Sequence, residues 1–315
     1  MHRTPLPQEL NLRSFTLAQQ AALGVSRNRV RAQDLKVVSR GLRIPLESDL
    51  KGPAALLAYT EEDPGAAIMD LTAAEIHHMP LPSYSRGDWR VYLGRSRGRN
   101  RARRKNVVGR TVTFKEGEVV LLEGLRITSP ARTWLDLAGR LRLEDLVAAG
   151  DFLVCEHGPE SPAPRRGICT VTDLEKVIER HSGMRGVKTA RAAVALIRVG
   201  ADSPQETALR LVLGEHGLPE PVLNHVLRTP DGRARVWPDL AYLEARLSIQ
   251  YDGVHHEGSD QYRRDIRRQA LTEQLGWREV RISKDDLEGR FPHAVTKIRR
   301  KLEESGWDSS SRDAS

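Results

Sequence analysis

Cysteine is almost absent from this 315-residue chain, which has only Cys155 and Cys169. Two thiols cannot build a disulfide framework, nor by themselves the thiolate cage of a structural zinc module, so both are expected to be ordinary thiols in a reducing cytoplasm. Long apolar runs are missing too. No stretch approaches the roughly 20 apolar residues that cross a bilayer, and no apolar segment follows a basic start, so neither a membrane span nor a secretory leader is expected. Aromatic residues make up 5% of the chain, and no basic helix with an aromatic face stands out. That disfavours a membrane surface as the target of the charge.

What the chain has in quantity is positive charge, carried mostly by arginine. Its 50 Lys and Arg against 42 Asp and Glu give a net charge of +8 and a pI near 9.7. Such a balance favours a polyanionic partner, nucleic acid before membrane. The densest stretch lies at residues 89–115, where Arg90, Arg95, Arg97, Arg99, Arg101, Arg103, Arg104, Lys105, Arg110 and Lys115 occur without one Asp or Glu. With Gly94, Gly98 and Asn100 among them, these residues are expected to form a loop that follows a phosphate backbone.

The length allows two or three domains, each with its own core. Residues 1–50 read as a helix-turn-helix with a wing. Thr16 caps a first helix that Gly24 ends, Ser26 caps a second over residues 28–35, and residues 37–45 form two short strands around Arg40 and Gly41. Arg29 and Arg31 on the second helix would enter a DNA groove, with Arg40 and Arg43 of the wing on phosphates. Residues 51–142 read as a mixed α/β unit carrying the basic loop. Its helices are expected at 53–59 and 71–79, its strands at 89–93, 106–114 and 119–122, and a packing helix begins with Ser129 as cap and Pro130 at the first helical position. Residues 143–200 read as a helical connector without a catalytic role, and residues 304–315 as a disordered tail.

The most chemical stretch is WPDLAYLEARLSIQYDGVHH, residues 237–256. In residues 246–252 Leu247, Ile249 and Tyr251 alternate with Ser248, Gln250 and Asp252, the period of a strand. A turn symmetric about Glu244 and Ala245 would set Asp239 opposite Gln250 and leave Asp252 as their diagonal neighbour. Gly253 would then let His255 or His256 return over the same edge. A hairpin with a merely solvated outer face would show the same alternation. Around this hairpin, SPQE at residues 203–206 reads as a capping box with Ser203 as cap, which by itself accounts for Glu206. A strand is expected over 218–228, a helix over 260–275 with Arg263, Arg264, Arg267 and Arg268 on one side, a strand over 277–282 and a last helix over 291–302. A right-handed crossover makes that last strand parallel to residues 246–252.

Helix, three antiparallel strands, helix, strand, with PDLAY, YDGxHH and RRDxxRxxxLxxxGW elements, resembles the DUF559 group of the PD-(D/E)XK restriction-endonuclease-like superfamily. Its studied relatives are the very-short-patch mismatch-repair endonucleases. The resemblance covers residues 201–303 and implies an α/β fold with an αβββαβ core. The amino-terminal part, through TAAEIHHMPLP and TSPARTWLDLA, is similar to the winged-helix AbiEi antitoxin-like domains. Carried over, the resemblance makes Glu206 the acidic residue of the first helix, Asp239 the metal-binding aspartate, and Gln250 with Asp252 the third motif. The ion would be Mg²⁺ or Mn²⁺, held by Asp239, Gln250, Asp252 and the Tyr251 carbonyl. His255 or His256 would handle the proton or the scissile phosphate, and Arg264 with Arg268 would clamp phosphate. Gln250 stands where a glutamate is usual, and Asp252 replaces the lysine of the name-giving motif. Two functions are therefore expected as alternatives: a metal-dependent DNA endonuclease, as a homodimer if it cuts both strands, or a non-catalytic DNA-binding transcriptional regulator or type IV antitoxin-like protein, whose partner toxin the sequence does not name. RNA offers the same phosphates.

Overall fold

The structure is a computed structural model that describes residues 4–46, 50–61, 63–96, 102, 104–233, 235–252, 259–289 and 292–308, with the backbone alone for 259–262 and 264. The chain has the mixed helices and sheets of an α/β fold, in two compact units. The first comprises Met1–Arg142 and Val171–Ala192, the second Leu143–Thr170 and Ala193–Ser315. The stretch 143–200 is divided between them: residues 143–170 and 193–200 cluster with the second unit and residues 171–192 with the first.

In the first unit α1 (Gln8–Asn11), β1 (Phe15–Thr16), α2 (Leu17–Ala22), β2 (Leu35–Ser39) and β3 (Leu42–Pro45) form a small module with strand order β1-β3-β2. Thr16 makes a full capping box with Gln19, and Gly24 leaves the helix at φ +70°, a conformation that favours glycine. The wing hairpin is present around Arg40 and Gly41. The expected second helix is not. Residues 28–35 give only a 3-10 turn at Arg29–Arg31, after which Leu35 enters β2. Asp34 explains the difference. Its carboxylate takes two hydrogen bonds from Arg29 (Nη1–Oδ1 2.9 Å, Nη2–Oδ2 2.8 Å), while Val30 is buried in the module's core. A recognition helix is therefore lacking, and Arg29 is tied down.

The unit continues with α3 (Gly52–Glu61), β4 (Ala66–Ile68), α4 (Asp70–Ile76), β5 (Val91–Ser96), β6 (Val107–Val112), β7 (Val119–Leu122), β8 (Leu125–Thr128) and α5 (Pro130–Leu137). The sheet order is β6-β5-β4-β8-β7, with β5–β6 and β4–β8 parallel. β4 and β8 were not expected from sequence, and both lie inside the sheet. Three- and four-residue strands buried on both faces carry no alternation to read. Ser129 caps α5, and Trp134, Leu135 and Leu137 are wholly buried, as a packing helix requires. Ala102 is also buried, against β6: a Cβ added to Gly109 would meet its carbonyl oxygen at 2.2 Å. Only glycine fits there.

α6 (Leu143–Val154) belongs to the second unit, α7 (Val171–Arg180) to the first, and α8 (Val187–Leu196) runs from the residues of one into those of the other. The second unit then has α9 (Pro204–Glu215), β9 (Val222–Leu223), β10 (Leu227–Arg228), β11 (Arg235–Val236), β12 (Leu240–Tyr242), β13 (Leu247–Asp252), α10 (Ser259–Gln274), β14 (Arg278–Ser283) and α11 (His293–Glu303). Strand order is β14-β13-β12-β9; β14 runs parallel to β13 and the other pairs are antiparallel. The expected single strand over 218–228 is two short ones, because β9 pairs with β12 and β10 with β11. One face of the sheet buries Leu240, Tyr242, Leu247, Ile249, Val280 and Ile282 against Leu209 and Leu213 of α9 and Val295, Ile298 and Leu302 of α11. Each such side chain contributes roughly 1.5–3 kcal/mol. Trp307 packs on the same cluster, so the chain stays attached beyond α11.

Candidate active site

The hairpin register agrees with the sequence expectation: Leu240 faces Ile249 and Ala241 faces Ser248. One step further, just past Pro238, Asp239 meets Gln250. The Gln250 amide Nε2 donates to Asp239 Oδ1 at 2.7 Å, and the Tyr251 backbone N–H donates to Oδ2 at 2.6 Å. Asp239 is thus held by side chain and backbone of the same strand. Gln250 is 9% exposed, and its Oε1 is buried without a hydrogen-bond partner.

Glu206 reaches the same place from α9. Ser203 caps the helix by accepting from the Glu206 N–H, as the capping box predicts. The carboxylate, however, bonds one residue earlier than the usual box: Oε2 accepts from the Asp202 N–H (2.9 Å) and Oε1 from the Ser203 hydroxyl (2.8 Å). Glu206 is 7% exposed and, with Asp239, lines a cavity of about 140 Å³ together with His157, Asp202, Asn224, Trp237 and Pro238. Burial pushes the Glu206 carboxyl up to about 8, and the charge of Asp239 adds to it. Burial likewise pushes Asp239 up to about 6, against the Tyr251 N–H and the positive field of Arg268. Two buried carboxyls, Glu206 raised by burial and by Asp239, and Asp239 raised by burial with Asp202 and Asp252 adding to it, are arranged for a shared cation or a shared proton.

The helix α9 is fixed in position by a buried polar knot. Asp151 of α6 accepts from Arg210 Nη2 (2.8 Å), Thr207 Oγ1 (2.8 Å) and the Arg198 N–H (2.8 Å). Arg210 and Asp151 are almost wholly buried, so removing Arg210 would leave the Asp151 carboxylate without its cation, whereas Arg210 also reaches Glu220 at 3.5 Å. This knot also fixes the end of α6, where Cys155 follows. Cys155 Sγ lies 3.4 Å from His157 Nε2 and 3.5 Å from Asp202 Oδ1, and those two atoms are 2.5 Å apart. The sequence assigns this region no chemical role and Cys155 none beyond an ordinary thiol; the structure sets His157 and Asp202 on the cavity wall, with Cys155 buried against them. The only local hint was the spacing Cys-x-His, and its third member is 45 residues further on.

The remaining expected site residues separate. Asp252 shares the polar face of β13 but is half-buried and leans to Arg281 (3.7 Å). Arg268 does not project outward: it lies over that face, 3.7 Å from Asp265 and 3.8 Å from Glu279. Glu279, which sequence reading overlooked, stands beside Ser248 on β14 and accepts from Arg281 Nε (3.0 Å). His255 and His256 lie outside the described residues, as do Arg97, Arg99, Arg101 and Arg103, and the side chain of Arg264 is not described.

In the first unit the wing and the described end of the basic segment touch. Arg104 Nη1 donates to the Arg40 carbonyl (3.1 Å), the Ser39 hydroxyl to the Lys105 carbonyl (3.3 Å), and the Asn106 amide to the Val38 carbonyl (3.3 Å). Arg31, Arg40 and Lys105 are exposed there. Arg43 is half-buried, and its guanidinium donates to the Val30 and Leu42 carbonyls.

Two proteins of Mycobacterium tuberculosis, from strains CDC 1551 / Oshkosh and ATCC 25618 / H37Rv and described only as uncharacterized, are each 29% identical to this chain over 184 residues. The match covers 58% of this chain and 64% of each relative. No family model and no solved structure matches.

Proposed function

We propose that the second unit is a metal-dependent DNA endonuclease of the restriction-endonuclease-like kind, and that the first unit supplies non-specific phosphate contacts. The observation that carries the reading is the convergence of Glu206 and Asp239 on one cavity at the end of a four-stranded sheet. The element order α9, β9, β12, β13, α10, β14, with only the last strand parallel, supports it. A hard cation fits the donor set, which is oxygen throughout: Asp239, Glu206, the Tyr251 carbonyl and the buried, unpartnered Gln250 Oε1. Bound Mg²⁺ or Mn²⁺ would polarise the scissile phosphate and acidify a water. Asp239 orients the site through its bond to the Tyr251 N–H, and Glu206, neutral near pH 7 without a cation, holds a proton where negative charge would otherwise accumulate. Arg40 and Lys105 would hold the DNA backbone.

The Gln250–Asp239 hydrogen bond favours a second reading. With an amide donor in place of a carboxylate, Asp239 has a neutral partner already, as in a nuclease fold kept as a DNA-binding surface. Incubation of supercoiled plasmid with Mg²⁺ or Mn²⁺ separates the two. Nicking by the native chain that is lost in Asp239→Ala supports the endonuclease. No nicking, with DNA still bound in a salt-dependent way, supports the regulator. Nicking equal in both proteins sinks the site.

A further inference from the structure

Cys155 and His157 come from one piece of chain and Asp202 from another, and each is fixed by its backbone. Cys155 is fully buried directly after α6. His157 is held by paired backbone hydrogen bonds with Arg165 (2.8 and 3.2 Å), and Arg165 in turn donates to the Phe152 carbonyl (2.6 Å) and stacks on its ring. Asp202 precedes α9 and gives its N–H to Glu206. Their ligand atoms all lie within 4.8 Å of one another.

We propose that these three side chains bind a zinc ion, with the fourth coordination position open to the cavity lined by Glu206 and Asp239. Tetrahedral zinc with a thiolate at about 2.3 Å and nitrogen or oxygen at about 2.1 Å puts sulfur about 3.6 Å from each of the other two ligands. The observed 3.4 and 3.5 Å already match that spacing. Only the His157–Asp202 edge, at 2.5 Å, must open, to about 3.4 Å, and Asp202 is exposed enough to move. One sulfur, one imidazole and one carboxylate select zinc over Mg²⁺, which takes oxygen ligands. Three protein ligands with a position facing a cavity is the arrangement of a reactive zinc rather than a closed structural one. On binding, the Cys155 S–H bond is replaced by a sulfur–zinc bond and its proton leaves to solvent. The thiol, pushed up to about 12 by burial and by Asp202, keeps its proton otherwise. Nothing in this site requires Asp239 to hold a cation, so it stands apart from the endonuclease reading.

The test is cobalt and zinc loading of the full chain. The native protein is expected to bind one Zn²⁺ per chain and, with Co²⁺, to develop a near-ultraviolet sulfur-to-cobalt band with intense visible bands of tetrahedral cobalt. Cys155→Ser should lose the near-ultraviolet band and His157→Ala should lower zinc affinity at least tenfold, while Cys169→Ser leaves both unchanged and Asp239→Ala keeps the near-ultraviolet band. If Cys155→Ser fails to fold, Asp202→Asn and His157→Ala carry the same comparison. A native chain that takes up no zinc, or a cobalt band that survives Cys155→Ser, overturns the proposal. Loss of plasmid nicking in Asp239→Ala with the cobalt spectrum intact distinguishes this site from the other.

Discussion

Gln250 donates its side-chain amide to Asp239 across the β12–β13 hairpin at 2.7 Å, leaving its own carbonyl oxygen buried and unpartnered. The amide thus occupies the position from which a carboxylate would face a cation. Replacing it as Gln250→Glu is expected to raise Mg²⁺ affinity by tenfold or more and plasmid nicking with it, since one buried anionic ligand is added. Titration calorimetry and a nicking assay check this; weaker Mg²⁺ binding in the variant would remove Gln250 from the ligand set.

Cation binding should strengthen with pH. Glu206 and Asp239 stand raised, at about 8 and about 6, so between pH 6 and 8 a cation must displace one proton and its affinity should climb about tenfold per pH unit. Below pH 6 a second proton is displaced and the dependence steepens. Mn²⁺ titrations in two buffers of different ionisation enthalpy would count the protons, and a pH-independent affinity would refute the assignment.

Glu206 also makes stability depend on pH when chelator keeps cations away. Its carboxyl is raised in the folded chain, so its contribution is whole below the ordinary value of 4.5 and is lost as pH rises through about 8. Glu206→Gln keeps acceptors for the Asp202 N–H and cannot ionise. At pH 9 the variant should be the more stable by on the order of 1–3 kcal/mol, and near pH 5 the two should be alike. Urea unfolding at both values reads the difference.

Two arginines of the amino-terminal module should behave oppositely. Arg40 is exposed beside Lys105, whereas Arg29 is bonded to Asp34. The double change Arg40→Ala and Lys105→Ala is expected to lower the slope of log affinity against log salt by about 1–2, uniformly across DNA sequences, and to leave stability alone. Arg29→Ala should lower the melting temperature and leave that slope unchanged. Fluorescence anisotropy over a salt series, beside thermal melts, tests both.

Much of the second unit was legible because its signals are periodic. The alternation over residues 247–252 fixed which side chains share a face, and a turn of even length fixed the opposition of Asp239 and Gln250. The parallel course of β14 followed from the intervening helix α10. The zinc-type cluster was not legible, because Cys155 and Asp202 meet only through the packing of α6 on α9, a contact with no local pattern. The missing second helix had the opposite cause. Ser26 and the arginines at 27, 29 and 31 satisfy a helix template, but the Arg29–Asp34 pair and the strand starting at Leu35 claim the same residues. Propensity yields there to tertiary bonding.

Gly109 carries no charge and meets no proposed ligand, yet its bare Cα is what lets Ala102 lie against β6 beside Arg104 and Lys105. A single methyl group there would push the backbone at Ala102 away from the strand. In a mutational screen for lost DNA binding, Gly109 should therefore score among the arginines while every arginine remains in place.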